Sequence, residues 1–275
     1  MITLLVIAKE PRPGRVKTRL TPPFTPEEAA ALAAASLADT LDVVARTPAG
    51  RRVLVLEGEP GPWLPPGFEV VRQCAGGLDE RLAAAFAGCD GPALLIGMDT
   101  PQVTPELLTV DFADCDAFFG PAEDGGFWAL GLAEPDPSRL RGVPMSTPHT
   151  GAAQRARLAD LRVRDLPRLR DVDTAYDADL VAKEARGGRF ATELARLTAA
   201  RGAGRTPQGT LAGETRPAAT TTPDGQDAAG PAHDTAGREA GGAVPDTPAR
   251  DARTAAPTHD GRHAAGPASG TTVRR

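Results

Sequence analysis

Five basic residues fall close together in the run Lys9-Glu-Pro-Arg-Pro-Gly-Arg-Val-Lys-Thr-Arg-Leu20: Lys9, Arg12, Arg15, Lys17 and Arg19. Guanidinium forks and ammonium groups match phosphate oxygens, and the backbone N–H groups of an irregular loop add to them. Gly14 lets backbone approach a ligand closely, and Thr18 offers a hydroxyl. The spacing of a Walker A loop is absent. A solvated basic loop whose prolines only fix its path is the plainer alternative. Phosphate binding is favoured because the loop directly follows an apolar run, in a chain whose formal net charge is −5.

Carboxylates supply the second kind of chemistry. Asp99, in Leu95-Ile-Gly-Met-Asp-Thr-Pro101, ends an apolar segment, where it can either cap a turn or hold Mg²⁺ or Mn²⁺ beside substrate phosphates. Opposite a phosphate loop, the metal role is preferred. In Glu123-Asp-Gly-Gly126 two acids precede paired glycines, a pattern that suits an acceptor-side turn and a plain hairpin equally. Asp173 is a candidate second metal ligand in an acidic run that enters a helix, whose start Thr174 or Asp177 would serve. Gly76 and Gly77 lead into a helix N-terminus and could pass a base or ribose, or merely connect two elements. Before residue 201, His149 is the sole histidine, so no Ser/His/Asp or Cys/His arrangement can be assembled.

These residues need a scaffold. Ile2–Ala8, Arg52–Leu56, Phe68–Val71, Ala93–Met98, Asp116–Phe119 and Gly126–Leu132 read as strands, the first as one buried on both faces. Thr25-Pro-Glu-Glu opens a helix reaching about Arg46, with Thr as N-cap and acids in the first turn. Further helices are expected at Leu78–Phe86, just after Thr104, at Thr150–Leu161, and from Tyr176 to about Thr198 with a break at Gly187-Gly188. Strands alternating with helices predict an α/β domain on a mainly parallel sheet, with ligands at the carboxyl ends of the strands.

Composition sets the limits of that domain. From Arg201 onward the large aliphatic residues are Leu211, Val244 and Val273, with no aromatic residue. Such a segment cannot bury enough apolar surface to offset about 1–2 kcal/mol of ordering cost per residue. One folded domain over residues 1–200 and a disordered low-complexity tail over 201–275 are therefore expected. The tail carries 9 Arg against 8 acids, leaving the domain acidic, without the footprint of a nucleic-acid binder. Three cysteines without CxxC spacing exclude a disulfide scaffold and a thiolate zinc site. The first apolar run is too short for a membrane span and has no basic leader, so a cytoplasmic protein is expected.

Taken in order, Ala8 to Leu20, Ile96-Gly-Met-Asp-Thr-Pro101, Gly120-Pro-Ala-Glu-Asp-Gly-Gly126 and Ser146-Thr147 resemble the small bacterial glycosyltransferase-A-like proteins. That family is of the arsenosugar-biosynthesis or radical-SAM-associated glycosyltransferase type, and the resemblance spans about residues 1–198. Asp173-Thr174 is similar to nucleotidyltransferases such as phospholactate guanylyltransferase. The resemblance implies the nucleotide-diphospho-sugar transferase fold (GT-A), a Rossmann-like three-layer α/β/α sandwich that binds a nucleotide with a divalent metal. It also implies phosphate contacts from Lys17 and Arg19, a metal on Asp99 with Asp173 as second ligand, and Glu123 to Gly126 along the acceptor. Met98 and Phe127-Trp128 depart from the family pattern of a small Ser and a pair of tyrosines.

The expected activity is metal-dependent transfer of a sugar from a nucleotide-diphospho-sugar to a small-molecule acceptor, with Asp124 as base. The alternative is nucleotidyl transfer from an NTP to a phosphorylated small molecule. A non-catalytic nucleotide-binding protein is the third possibility.

Overall fold

The computed structural model describes residues 1–203. Strand β1 (Thr3–Lys9) is an interior strand of a seven-stranded sheet, and its residues Leu4, Leu5, Val6 and Ala8 are buried. β2 (Arg51–Glu57) and β4 (Ala93–Ile96) flank it in parallel, and β3 (Glu69–Arg72) adds to β2 as an edge. Beyond β4 lie β6 (Phe127–Leu132), β5 (Ala117–Pro121) and β7 (Val163–Asp165), completing the order β3-β2-β1-β4-β6-β5-β7. β6 runs against both its neighbours and the other six strands share one direction. The fold is the Rossmann-like α/β architecture the sequence predicts.

Helix α1 (Pro26–Arg46) starts with a complete capping box between Thr25 and Glu28 and lays an Ala- and Leu-rich face on one side of the sheet. On the other side α2 (Leu78–Ala87) buries Leu82, Ala83 and Phe86 against β1, β2 and β4. The short α3 (Pro105–Leu108) and α4 (Thr150–Ala156) border the loops that follow β4 and β6. Helices α5 (Ala175–Glu184) and α6 (Arg189–Ala203) pack on α1 through Phe24, Val181, Phe190, Leu194 and Leu197.

Several elements differ from expectation for physical reasons. β3 has all four residues exposed, because its one partner is β2 and no helix covers it. β7 is three residues long, too short to show a period. α4 ends at Ala156 and the chain continues in tighter turns, with Leu158 N–H donating to the Arg155 carbonyl. The last helix runs past residue 200: Arg201 pairs with Glu28 and stacks 4.2 Å above the Phe24 ring. The expected tail otherwise lies outside the described residues. Among those described, no helix is long and apolar enough to cross a membrane.

Candidate functional site

A cleft of about 680 Å³ opens at the carboxyl ends of β1 and β4. Its deepest polar group is Lys17, in a left-handed conformation at φ 50° where the basic loop turns into a 3₁₀ turn, Thr18–Leu20. The side chain is 7% exposed, and its Nζ lies 2.8 Å from Asp99 Oδ1 and 3.4 Å from Asp173 Oδ1. Burial opposes the charge on Lys17, but the two carboxylates outweigh it and hold the ammonium pKa above its usual value. Arg19 reaches Asp173 Oδ2 at 3.1 Å.

Backbone hydrogen bonds explain how carboxylates so far apart in sequence meet. Ser36 Oγ on α1 donates to the Met98 carbonyl at 2.8 Å, which fixes the turn after β4. Val172 N–H donates to the Asp99 carbonyl at 2.9 Å, and Gln102 Nε2 to the Arg170 carbonyl at 2.8 Å. The 170–173 segment is thereby stitched beside Asp99. Val172 is buried, while its neighbours Asp171 and Asp173 both line the cleft. Burial pushes Asp171 up to about 7, helped by repulsion from Asp99, Asp124 and Asp173.

Asp124 lines the cleft from the turn between β5 and β6, where its Oδ1 accepts the Gly126 N–H at 2.8 Å. Gly125 has φ +88°, and any side chain there would overlap the Pro148 carbonyl. Gly151 N–H donates to the Gly125 carbonyl at 2.8 Å, pressing α4 against this turn. Ser146, next to it, has φ 58°, a second non-glycine residue in the left-handed region at the cleft.

The sequence-predicted residues divide into two groups. Lys9, Lys17, Thr18, Arg19, Asp99, Asp124, Gly126 and Asp173 come together along the cleft. Lys9 also lies 3.6 Å from Glu57, which in turn pairs with Arg81 on α2. Gly14, Gly76, Gly77, Glu123 and Gly125 do not line it. Gly14 and Gly76 supply positive φ in loops, and Gly77 is the N-cap of α2, its N–H bound by Glu80. The Glu123 carboxylate is engaged by Arg170. Arg15 of the basic loop also lines the cleft, whereas Arg12 does not and pairs with Glu10; Asp171, Gln73 and Arg81 line it without having been expected from the sequence. For Asp171 the signal was its place two residues before Asp173.

The sequence profile of a family described as an uncharacterized protein conserved in bacteria (DUF2064) matches residues 30–147. No curated protein matches the chain. A crystal structure from Desulfovibrio desulfuricans G20, described as a "putative nucleotide-diphospho-sugar transferase", superposes with a TM-score of 0.64 at 26% identity, covering 73% of this chain and 95% of that one. More distant are CMP:2-keto-3-deoxy-manno-octonic acid synthetase complexed with CTP, at TM-score 0.44, 11% identity and 67% and 98% coverage, and Rv0371c of Mycobacterium tuberculosis H37Rv with manganese, at 0.39, 22%, and 66% and 97%.

Proposed function

We propose that this chain is a nucleotide-using transferase and, within that class, a metal-dependent glycosyltransferase of the glycosyltransferase-A-like type. It would move a sugar from a nucleotide-diphospho-sugar to a small-molecule acceptor. The observation that carries the reading is the convergence of Asp99 and Asp173 on one cation, the Lys17 ammonium, in a cleft that Lys9, Arg15, Arg19 and Arg81 also line. The likeness to the Desulfovibrio protein supports the same class.

The donor set suits a hard divalent cation. Among the described residues no group of three or more His, Cys, Asp or Glu side chains is arranged to hold a metal. Two carboxylates completed by substrate phosphate oxygens are what Mg²⁺ or Mn²⁺ commonly takes. Asp99 and Asp173 would hold it, and when bound it supplies charge neutralisation for the departing diphosphate.

The chain's own groups do the rest. Lys17, released from its carboxylates, and Arg19, Arg15, Lys9 and Thr18 grip the diphosphate where negative charge develops. Gln73 and Arg81, positioned by the Gly76-Gly77 turn, border the nucleoside. Asp124 takes the acceptor proton, and Gly125 and Gly126 shape the turn that presents it.

Nucleotidyl transfer is the second reading, favoured by the five cations that line the cleft, since a triphosphate carries more charge than a sugar diphosphate. One experiment separates them: melting temperatures of the full chain with Mn²⁺, against UDP- and GDP-sugars, the matching diphosphates and the four NTPs. A ligand at about 100 times its Kd adds roughly 2.7 kcal/mol, or about 5–10 °C for a domain of this size. A metal-dependent shift with one nucleotide-sugar is expected. A shift with an NTP alone would overturn glycosyl transfer, and no shift at all would leave a non-catalytic protein.

A further inference from the structure

The charges of the cleft are sorted by end. Among the described residues that line it, the cations Lys9, Arg15, Lys17, Arg19 and Arg81 all come from β1, the loop after it, or α2. Across β4 from β1 the lining is Phe127, at the start of β6, with Met145, Ser146 and Thr147, and the Asp124 carboxylate lies in the turn just before Phe127. Asp171 adds a second carboxylate to the lining, within the field of the Lys17 ammonium, whereas Asp124 makes no salt bridge among the described residues and its Oδ1 accepts the Gly126 N–H.

That end also has an apolar floor. The Phe127 ring is held by Phe119, with centroids 5.7 Å apart, and Met145 packs on the same core cluster. Neither ring nor thioether carries a hydrogen-bonding group that a polar ligand needs, while both suit the flat or hydrocarbon face of one. The wall above the floor is fixed by the contact of Gly125 with Pro148 and by the Gly151 N–H bond to Gly125.

We propose that the acceptor is an uncharged or cationic alcohol or amine with an apolar face, and that phosphorylated and carboxylated acceptors are rejected. The inference rests on the glycosyl-transfer reading and names the substrate class of its second site. An anionic acceptor would place its charge against the Asp124 carboxylate, which has no salt-bridge partner among the described residues, and low-dielectric surroundings penalise that. A neutral or cationic one sets its apolar face on Phe127 and Met145 and its reacting O–H or N–H at Asp124. In the transfer, the acceptor oxygen or nitrogen bonds to the anomeric carbon and its proton passes to the Asp124 carboxylate. The bond from that carbon to the diphosphate oxygen breaks, and its electron pair leaves with the nucleoside diphosphate.

Four probes that differ in one group test this: 4-(hydroxymethyl)benzyl alcohol and the analogues in which one arm is an aminomethyl, a carboxylate or a phosphate ester. Each is titrated calorimetrically into the full chain loaded with Mg²⁺ and whichever nucleoside diphosphate raises its melting temperature. If no diphosphate does, glycosyl transfer fails as a reading, and the titration proceeds with Mg²⁺ alone, so that the acceptor preference is still measured. The neutral and aminomethyl probes are expected to bind at least about tenfold more tightly than the two anions, a separation of about 1.4 kcal/mol. Asp124→Asn should narrow that gap, and Phe127→Ala should weaken all four alike. Equal or tighter binding by an anion overturns the proposal, as does a gap unmoved by Asp124→Asn or no binding by any probe.

Discussion

Removing the Lys17 ammonium would leave Asp99 without its counter-charge and Asp173 with Arg19 as its remaining one. Breaking a fully buried pair costs roughly 3–5 kcal/mol, but both carboxylates here are more than a third exposed, so the expected loss for Lys17→Met is nearer about 1–2 kcal/mol. That should appear as a lower urea midpoint at unchanged m-value, together with loss of the nucleotide-induced shift in melting temperature. Asp99→Ala should abolish transfer and leave the circular dichroism spectrum and the urea m-value of the full chain unchanged. Asp171 moves stability the other way. Its folded pKa of about 7 stands above the ordinary 3.8, so the stability tied to its protonated form is complete below about pH 4 and lost as pH rises through 7. In EDTA, Asp171→Asn should therefore match the parent at pH 4 and melt several degrees higher at pH 8. At this scale most of the polar centre was legible: a basic loop after one buried strand and an acid after another are sequence facts. That Lys17 turns inward to join Asp99 and Asp173 was not, because the bonds aligning the 170–173 segment with Asp99 join distant backbone groups and leave no residue pattern.

Helices and strands show where local pattern fails. Asp39, in the middle of α1, accepts the backbone N–H groups of Arg189 and Phe190, each at 2.9 Å, and so caps α6 from another helix. The preceding Gly188 has no room for a side chain beside that carboxylate. Asp39→Ala should cost about 1–2 kcal/mol in urea unfolding, the price of a lost N-cap, with nucleotide binding unaffected. Nothing local marks such a cap, since the capping residue lies 150 positions away. The capping box of α1, by contrast, was readable because Thr25 and Glu28 are neighbours. β1 and β4 were equally readable, being apolar on both faces. β3 was identified as a strand, but its exposure depends on its place at the sheet edge, which composition does not encode. Gly125→Ala would push α4 off the acceptor turn; it should weaken acceptor binding more than donor binding, as read by the four benzyl probes against the nucleoside diphosphate.

For the whole chain, the position of the last helix decides where the domain can be cut. A chain ending at residue 203 keeps the Arg201 pair with Glu28 and its stacking on Phe24, and should retain the melting temperature and nucleotide binding of the full protein. A chain ending at residue 200 loses both contacts and should melt lower by a few degrees. The composition change near residue 201 gave no sign that Arg201 continues the last helix, because it resembles the arginines after it. The reversed strand β6 has a wider consequence. By turning back, it brings Phe127 to the same edge where β1 and β4 end, with Ile96 opposite Ala129. On the proposed reading, Lys17 and Asp99, which with Asp173 face the donor, and Asp124 and Phe127, which face the acceptor, therefore meet at one edge. Such a layout permits recombination: a related protein's segment corresponding to residues 117–165, which joins the rest of the sheet through the pairing of β6 with β4, can replace this one and leave Asp173 in place. The resulting chimera should keep the nucleotide preference of this chain and take the acceptor preference of the inserted segment.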